Sequence, residues 1–124
     1  MIAKRILIID DEADVREIAK VSLEITKNWD VATAASGDEG VALAATYHPD
    51  AILLDVIMPD PDGLTTLIKL SENTNTQNIP VILLTATLKL ATQKAYAEAG
   101  ARAVLVKPFD PGLLGGQIET ALEW

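Results

Sequence analysis

Four short apolar runs punctuate the chain: Ile6-Leu7-Ile8-Ile9, Ala51-Ile52-Leu53-Leu54, Val81-Ile82-Leu83-Leu84 and Ala103-Val104-Leu105-Val106. None alternates with polar residues, so each reads as a strand covered on both faces, the pattern of a parallel sheet. Residues 55–80 and 85–102 each have room for one helix and its loops, and residues 10–50 for two helices and a further strand. Asp30-Val31-Ala32-Thr33-Ala34-Ala35 supplies that strand, and its weaker apolarity predicts an edge. Val15, Ile18, Ala19, Ser22 and Ile25 share a helical face and predict a first helix of about four turns with these residues as its buried stripe. Ser36 followed by Glu39 predicts a capping box opening the second helix, closed by Pro49. Gly63 opens a third helix that runs to about Glu72. A fourth spans about Leu88 to Ala99, with Gly100 placed to stop it in a left-handed conformation. Asp110-Pro111 joins an N-cap to a proline at the first helical position and opens the last helix. Gly115 and Gly116 inside it should each cost roughly 1 kcal/mol relative to Ala. The order is (βα)5, an α/β fold built as one doubly wound parallel sheet, in a single domain over residues 1–124.

Composition narrows the function. At 124 residues, 49% hydrophobic and 23% charged, the chain can bury a sizeable core without a metal or disulfide staple. A formal net charge of −8 argues against a nucleic-acid-binding surface. With no Cys, disulfides, cysteine-ligated zinc, iron–sulfur clusters and thiol nucleophiles are excluded. The apolar stretch before Asp10 is too short for a signal peptide or a membrane span, so a cytoplasmic protein without membrane attachment is expected.

The residue after each of these four apolar runs is polar: Asp10, Asp55, Thr85 and Lys107. Parallel strands run the same way, so these side chains arrive on one rim, where open α/β sheets bind ligands. Asp11 and Glu12 follow Asp10, and Asp60 and Asp62 lie in the loop after Asp55. Carboxylates gathered this closely repel one another unless a cation joins them. An all-oxygen set suits a hard cation, Mg²⁺ first. A lysine and a hydroxyl opposite the acids suit phosphoryl oxygens. The residues alone therefore point to a Mg²⁺-dependent phosphoryl site.

The same residues carry a family resemblance that runs the length of the chain. Asp10-Asp11-Glu12, Asp55, Met58-Pro59-Asp60-Pro61-Asp62-Gly63, Thr85-Ala86, Gly100-Ala101 and Lys107-Pro108-Phe109 appear in order, each at the appropriate strand end. Together they resemble a response-regulator receiver domain, the phosphoacceptor module of two-component signalling. The resemblance implies a flavodoxin-like strand order 2-1-3-4-5 and phosphorylation of Asp55, which would attack the phosphorus of a phosphohistidine to give an acyl phosphate. It also implies a sensor histidine kinase or histidine phosphotransfer protein as donor, and a downstream protein target whose binding changes. Asp11 would bind Mg²⁺ directly and Asp10 mainly through water, with Asp55 and the main-chain carbonyl of Ile57 completing the set. Thr85 would donate to a phosphoryl oxygen, Lys107 would pair with another, and the Lys107–Pro108 bond would be cis. Catalysis would be limited to the domain's own phosphorylation and dephosphorylation, and no effector domain is expected.

Other readings fit less well. Asp10 could cap the first helix, but two adjacent acids exceed that need. Asp62-Gly63 reads as a structural turn into the third helix. His48 reads as a surface residue, and Trp29 and Tyr47 as packing. A phosphatase using an aspartyl phosphate would carry a second acid two residues after its nucleophile on the first strand, and Asp10-Asp11-Glu12-Ala13 does not match. A flavodoxin would need a hydroxyl- and glycine-rich loop there, whereas these acids would repel the FMN phosphate. One departure from the family stands out: Val104 takes the place, three residues before Lys107, usually held by Tyr or Phe.

Overall fold

The computed structural model describes residues 3–86 and 89–124. Strands and helices alternate as β1 (Arg5–Ile9), α1 (Ala13–Lys27), β2 (Asp30–Ala34), α2 (Gly37–Tyr47), β3 (Ala51–Asp55), α3 (Gly63–Glu72), β4 (Val81–Thr85), α4 (Leu90–Glu98), β5 (Ala103–Val106) and α5 (Pro111–Leu122). The strands form one parallel sheet in the order β2-β1-β3-β4-β5, and the weakly apolar β2 lies at an edge.

Both faces of the sheet are covered, which is why the strands carry no polar alternation. Ile6, Ile8, Leu53, Ile82 and Leu84 pack with Ala19 and Leu23 of α1 and Leu114 and Ile118 of α5. Their neighbours in sequence, Leu7, Ile9, Ile52, Leu54 and Leu83, pack with Ala44 of α2 and Leu67 and Leu70 of α3 on the other face. A single charge placed in any of these runs would meet apolar side chains on whichever face it took.

The buried stripe of α1 differs from the expected one. Ala19 and Leu23 are buried, whereas Ile18 and Ile25 are 49% and 76% exposed. The helix carries two apolar lines, and Ile18 stands one residue, about 100°, round the axis from Ala19. Ala19 and Leu23, four residues apart, form the line that meets the sheet, so Ile18 and Ile25 point outward.

The capping signals mostly hold. Ser36 Oγ accepts from the Glu39 amide at 3.2 Å, while the Glu39 carboxylate accepts from Ala35 N–H at 3.3 Å, one residue before the cap itself. Asp110 accepts from Gly112 N–H at 2.8 Å with Pro111 at the first helical position. Gly100 has φ of +113° and follows α4, as its placement predicts. Leu88, the expected start of that helix, lies outside the described residues, as does Thr87. Lys107–Pro108 is cis, and Asp60–Pro61 is cis as well. Trp29 is buried and meets Trp124 edge to face, ring centroids 5.5 Å apart, with Lys4 Nζ 4.5 Å from the Trp124 ring centre. Tyr47 donates from its hydroxyl to the Asp30 carbonyl at 3.0 Å, and burial with the Asp30 charge raises its pKa to about 12. His48 is exposed and ends α2 with φ of 53°.

Candidate functional site

The carboxyl end of the sheet is polar because of where the apolar runs stop. Ile9 pairs with Leu54 in register, so the next residues, Asp10 and Asp55, emerge side by side from the two central strands. Thr85 ends β4 opposite Val106, and Lys107 follows, its amide donating to the Thr85 carbonyl at 2.7 Å. Asp10, Asp55 and Thr85 are all buried. Asp11, two residues beyond the strand, is exposed.

Three carboxylates converge. Asp10, Asp11 and Asp55 each offer an oxygen within 4.8 Å of the others. Such a set of oxygen donors fits a hard divalent cation. Asp60 and Asp62 are not part of it. Asp62 instead caps α3, accepting from Thr65 N–H at 2.8 Å, and that bond lowers its pKa. Its expected structural role is the observed one.

Lys107 supplies the opposing charge. Its Nζ lies 3.1 Å from Asp55 Oδ1 and 3.2 Å from Asp10 Oδ2. Lys107 follows an edge strand, so its side chain crosses the end of β4 to reach β3 and β1. Burial raises the Asp55 pKa above its ordinary value; the Lys107 hydrogen bond pulls it back, and the Asp10 charge adds to the rise. For Lys107, burial favours the neutral amine, but the hydrogen bond to Asp55 and the charges of Asp10 and Asp55 outweigh it and raise the pKa. The cluster is held as two acids sharing one ammonium.

The loops flanking these acids are fixed from the backbone. Glu12 N–H donates to Asp10 Oδ1 at 2.9 Å, and Arg16 Nη1 donates to the Asp10 carbonyl at 2.8 Å. Ile57 N–H approaches Asp55 Oδ1 at 3.4 Å. Gly63 N–H donates to the Val56 carbonyl at 3.0 Å and closes the loop 56–63. A Cβ on Gly63 would collide with the Asp55 carbonyl and the Val56 backbone, so a side chain there would push this loop off the strand end. Neither Arg16 nor the close approach at Gly63 was legible as part of the site. The DG pair signals a turn, and the direction of a backbone carbonyl leaves no mark in sequence.

Two openings flank the acids. One, about 760 Å³, is lined by Val56, Ile57, Thr85, Ala86, Lys89 and Tyr96 among others. The other, about 510 Å³, lies between α1 and the turn after β5, with Ile18, Lys107, Pro108 and Phe109 on its walls. The Ile57 side chain is 73% exposed at the lip of the first.

Residues 6–119 match the family described as the response regulator receiver domain. The chain is 41% identical over 118 residues to the response regulator PleD of Caulobacter vibrioides, covering 94% of this chain and 25% of that protein. It is 39% identical over 106 residues to the DNA-binding dual master transcriptional regulator RpaA of a Synechocystis strain, covering 86% of this chain and 44% of that one. It thus spans between a quarter and about half the length of these curated relatives. Among solved structures, a putative response regulator from Chloroflexus aurantiacus superposes with a TM-score of 0.87 at 32% identity, covering 98% of this chain and 99% of that one. The chemotaxis protein CheY4 of Vibrio cholerae gives 0.89 at 27% identity, covering 96% and 98%.

Proposed function

The chain belongs to the response-regulator receiver domains of two-component signalling, and from that premise we propose that Asp55 is its phosphoryl acceptor. A histidine kinase or histidine phosphotransfer protein is the donor, and the modified domain binds a downstream protein target differently. The observation that carries this reading is the shared ion pair of Lys107 with Asp55 and Asp10 on the rim of the sheet.

In the transfer, an oxygen of the Asp55 carboxylate forms a bond to phosphorus as the phosphorus–nitrogen bond of the phosphohistidine breaks. The bonding pair leaves on the imidazole nitrogen. Asp55 acts in its ionised form, which Lys107 favours against the effect of burial. As the phosphoryl group arrives, Lys107 moves from the carboxylates to one of its oxygens and Thr85 donates its hydroxyl to another. Asp10, Asp11, Asp55 and the Ile57 carbonyl would hold Mg²⁺, which would supply positive charge to offset that of the acids and the incoming phosphoryl group. Asp55 ends as an acyl phosphate, and the domain's own catalysis extends to that transfer and to its hydrolysis.

Intact mass after incubation with acetyl phosphate and Mg²⁺ tests the reading. Wild type gains one phosphoryl group, and Asp55→Asn or EDTA abolishes the gain. Equal uptake by wild type and Asp55→Asn overturns it. Among the described residues no helix is long and apolar enough to cross a membrane.

A further inference from the structure

The backbone of Asp10 is tied from several directions. Its N–H donates to the Ala34 carbonyl at 3.1 Å, its carboxylate accepts from Glu12 N–H and Lys107, and its carbonyl accepts from Arg16 Nη1. Arg16 lies in the first turns of α1 and is half-buried. Among the described residues its guanidinium makes no ion pair, although Asp11, Glu12 and Asp14 are its near neighbours in sequence. It is spent on a neutral carbonyl.

That carbonyl shares a rigid peptide plane with the N–H of Asp11. The exposed Asp11 carboxylate has no hydrogen bond or ion pair of its own among the described residues, so the backbone, which sets its Cα–Cβ direction, is what holds it towards the site. We propose that Arg16 is a positioning residue for the cation site: by holding the Asp10 carbonyl it orients the Asp10–Asp11 peptide, and through it the Asp11 carboxylate. This rests on the reading of Asp10, Asp11 and Asp55 as cation ligands.

Arg16 has a competing effect of opposite sign. A positive charge beside a divalent cation weakens its binding, so charge alone makes removal of Arg16 tighten the site. Positioning makes removal loosen it, because groups that orient metal ligands typically contribute about 10- to 100-fold in affinity. A lysine keeps the charge and loses the planar fork. It therefore separates the two effects.

The test is titration calorimetry of the whole chain with Mg²⁺ alone, on wild type, Arg16→Met and Arg16→Lys. The expected result is roughly tenfold weaker binding for Arg16→Met and at least as large a loss for Arg16→Lys, which gives up the fork but keeps the repelling charge. Phosphorylation by acetyl phosphate should return to the wild-type rate at saturating Mg²⁺, a recovery that general loosening of the fold would not give. Circular dichroism checks that each variant is folded, and if Arg16→Met is not, the Arg16→Lys titration decides. Unchanged or tighter binding in the folded variants overturns the inference and leaves the site reading standing. Failure of wild type to bind Mg²⁺ overturns both.

Discussion

Lys107 Nζ stands 3.1 Å from Asp55 Oδ1, and the same ammonium is 3.2 Å from Asp10. One partly exposed lysine thus offsets two carboxylates that are almost entirely buried. Removing it leaves like charges facing each other out of water, a greater loss than that of a surface ion pair.

Lys107→Met is therefore expected to lower stability by about 2 kcal/mol in metal-free buffer, less than for a wholly buried pair because the ammonium is partly solvated. Mg²⁺ should stabilise this variant more than it stabilises wild type, since the cation takes over the neutralising role. Urea unfolding of both proteins with EDTA and with Mg²⁺ measures the two effects. Equal stabilisation by Mg²⁺ would count against a shared electrostatic role.

The raised pKa of Asp55 sets a pH dependence. Between its ordinary value of 3.8 and its raised folded value, the native state retains a proton that the unfolded chain has released. Stability contributed by this group therefore falls as pH rises through that window. Asp55→Asn cannot ionise, so its stability relative to wild type should increase in EDTA as pH rises from the ordinary value of 3.8 through the raised folded value. A difference that stays constant over this range would show that burial does not control Asp55. Phosphorylation of wild type should fade over the same window as the pH is lowered.

Most of the fold was legible because three of the four apolar runs are buried on both faces, while β5, equally apolar, is half-buried at one edge, and because β2 departs from the pattern at the other. The rim followed from the same reasoning: where an apolar run ends in a parallel sheet, the next polar residue lands on a known edge. Asp10, Asp55, Thr85 and Lys107 all did. Where two solutions satisfy one pattern, sequence could not choose. Ile18–Ile25 and Ala19–Leu23 are both plausible inner lines of α1, and packing selected the second. The reach of Lys107 across β4 needs the strand order, which comes from long-range pairing. The edge-on contact of Trp124 with Trp29 likewise joins the last residue to the start of β2.

The two glycines of α5 are expected to behave differently. A Cβ on Gly116 meets nothing within 4 Å, whereas one on Gly115 would come within 2.6 Å of Lys27 Cγ. Lys27 is held in place by Glu119, with Nζ and Oε1 2.6 Å apart. Gly116→Ala should therefore stabilise by roughly 0.5–1 kcal/mol through helix propensity and a less flexible unfolded chain. Gly115→Ala should lose that gain by displacing Lys27 where α1 meets α5. Thermal unfolding of the two variants measures the contrast, and equal gains would refute the packing argument.

On the proposed phosphorylation of Asp55, Ile57 is expected to govern how long the modification lasts. Its side chain, 73% exposed, stands at the lip of the cleft that also holds Thr85. Hydrolysis of an acyl phosphate on Asp55 needs a water held in line with the bond to be broken. An isoleucine offers that water no hydrogen bond. Ile57→Asn places a donor and an acceptor there and is expected to speed dephosphorylation roughly fivefold, about 1 kcal/mol in the barrier. Ile57→Val separates orientation from access, because it shortens the side chain without adding a polar atom. Decay of the phosphorylated protein, followed by intact mass after the donor is removed, should be faster for Ile57→Asn and little changed for Ile57→Val. If valine accelerates decay as much as asparagine, then Ile57 acts by shielding the acyl phosphate from water, and the account based on a missing polar group fails.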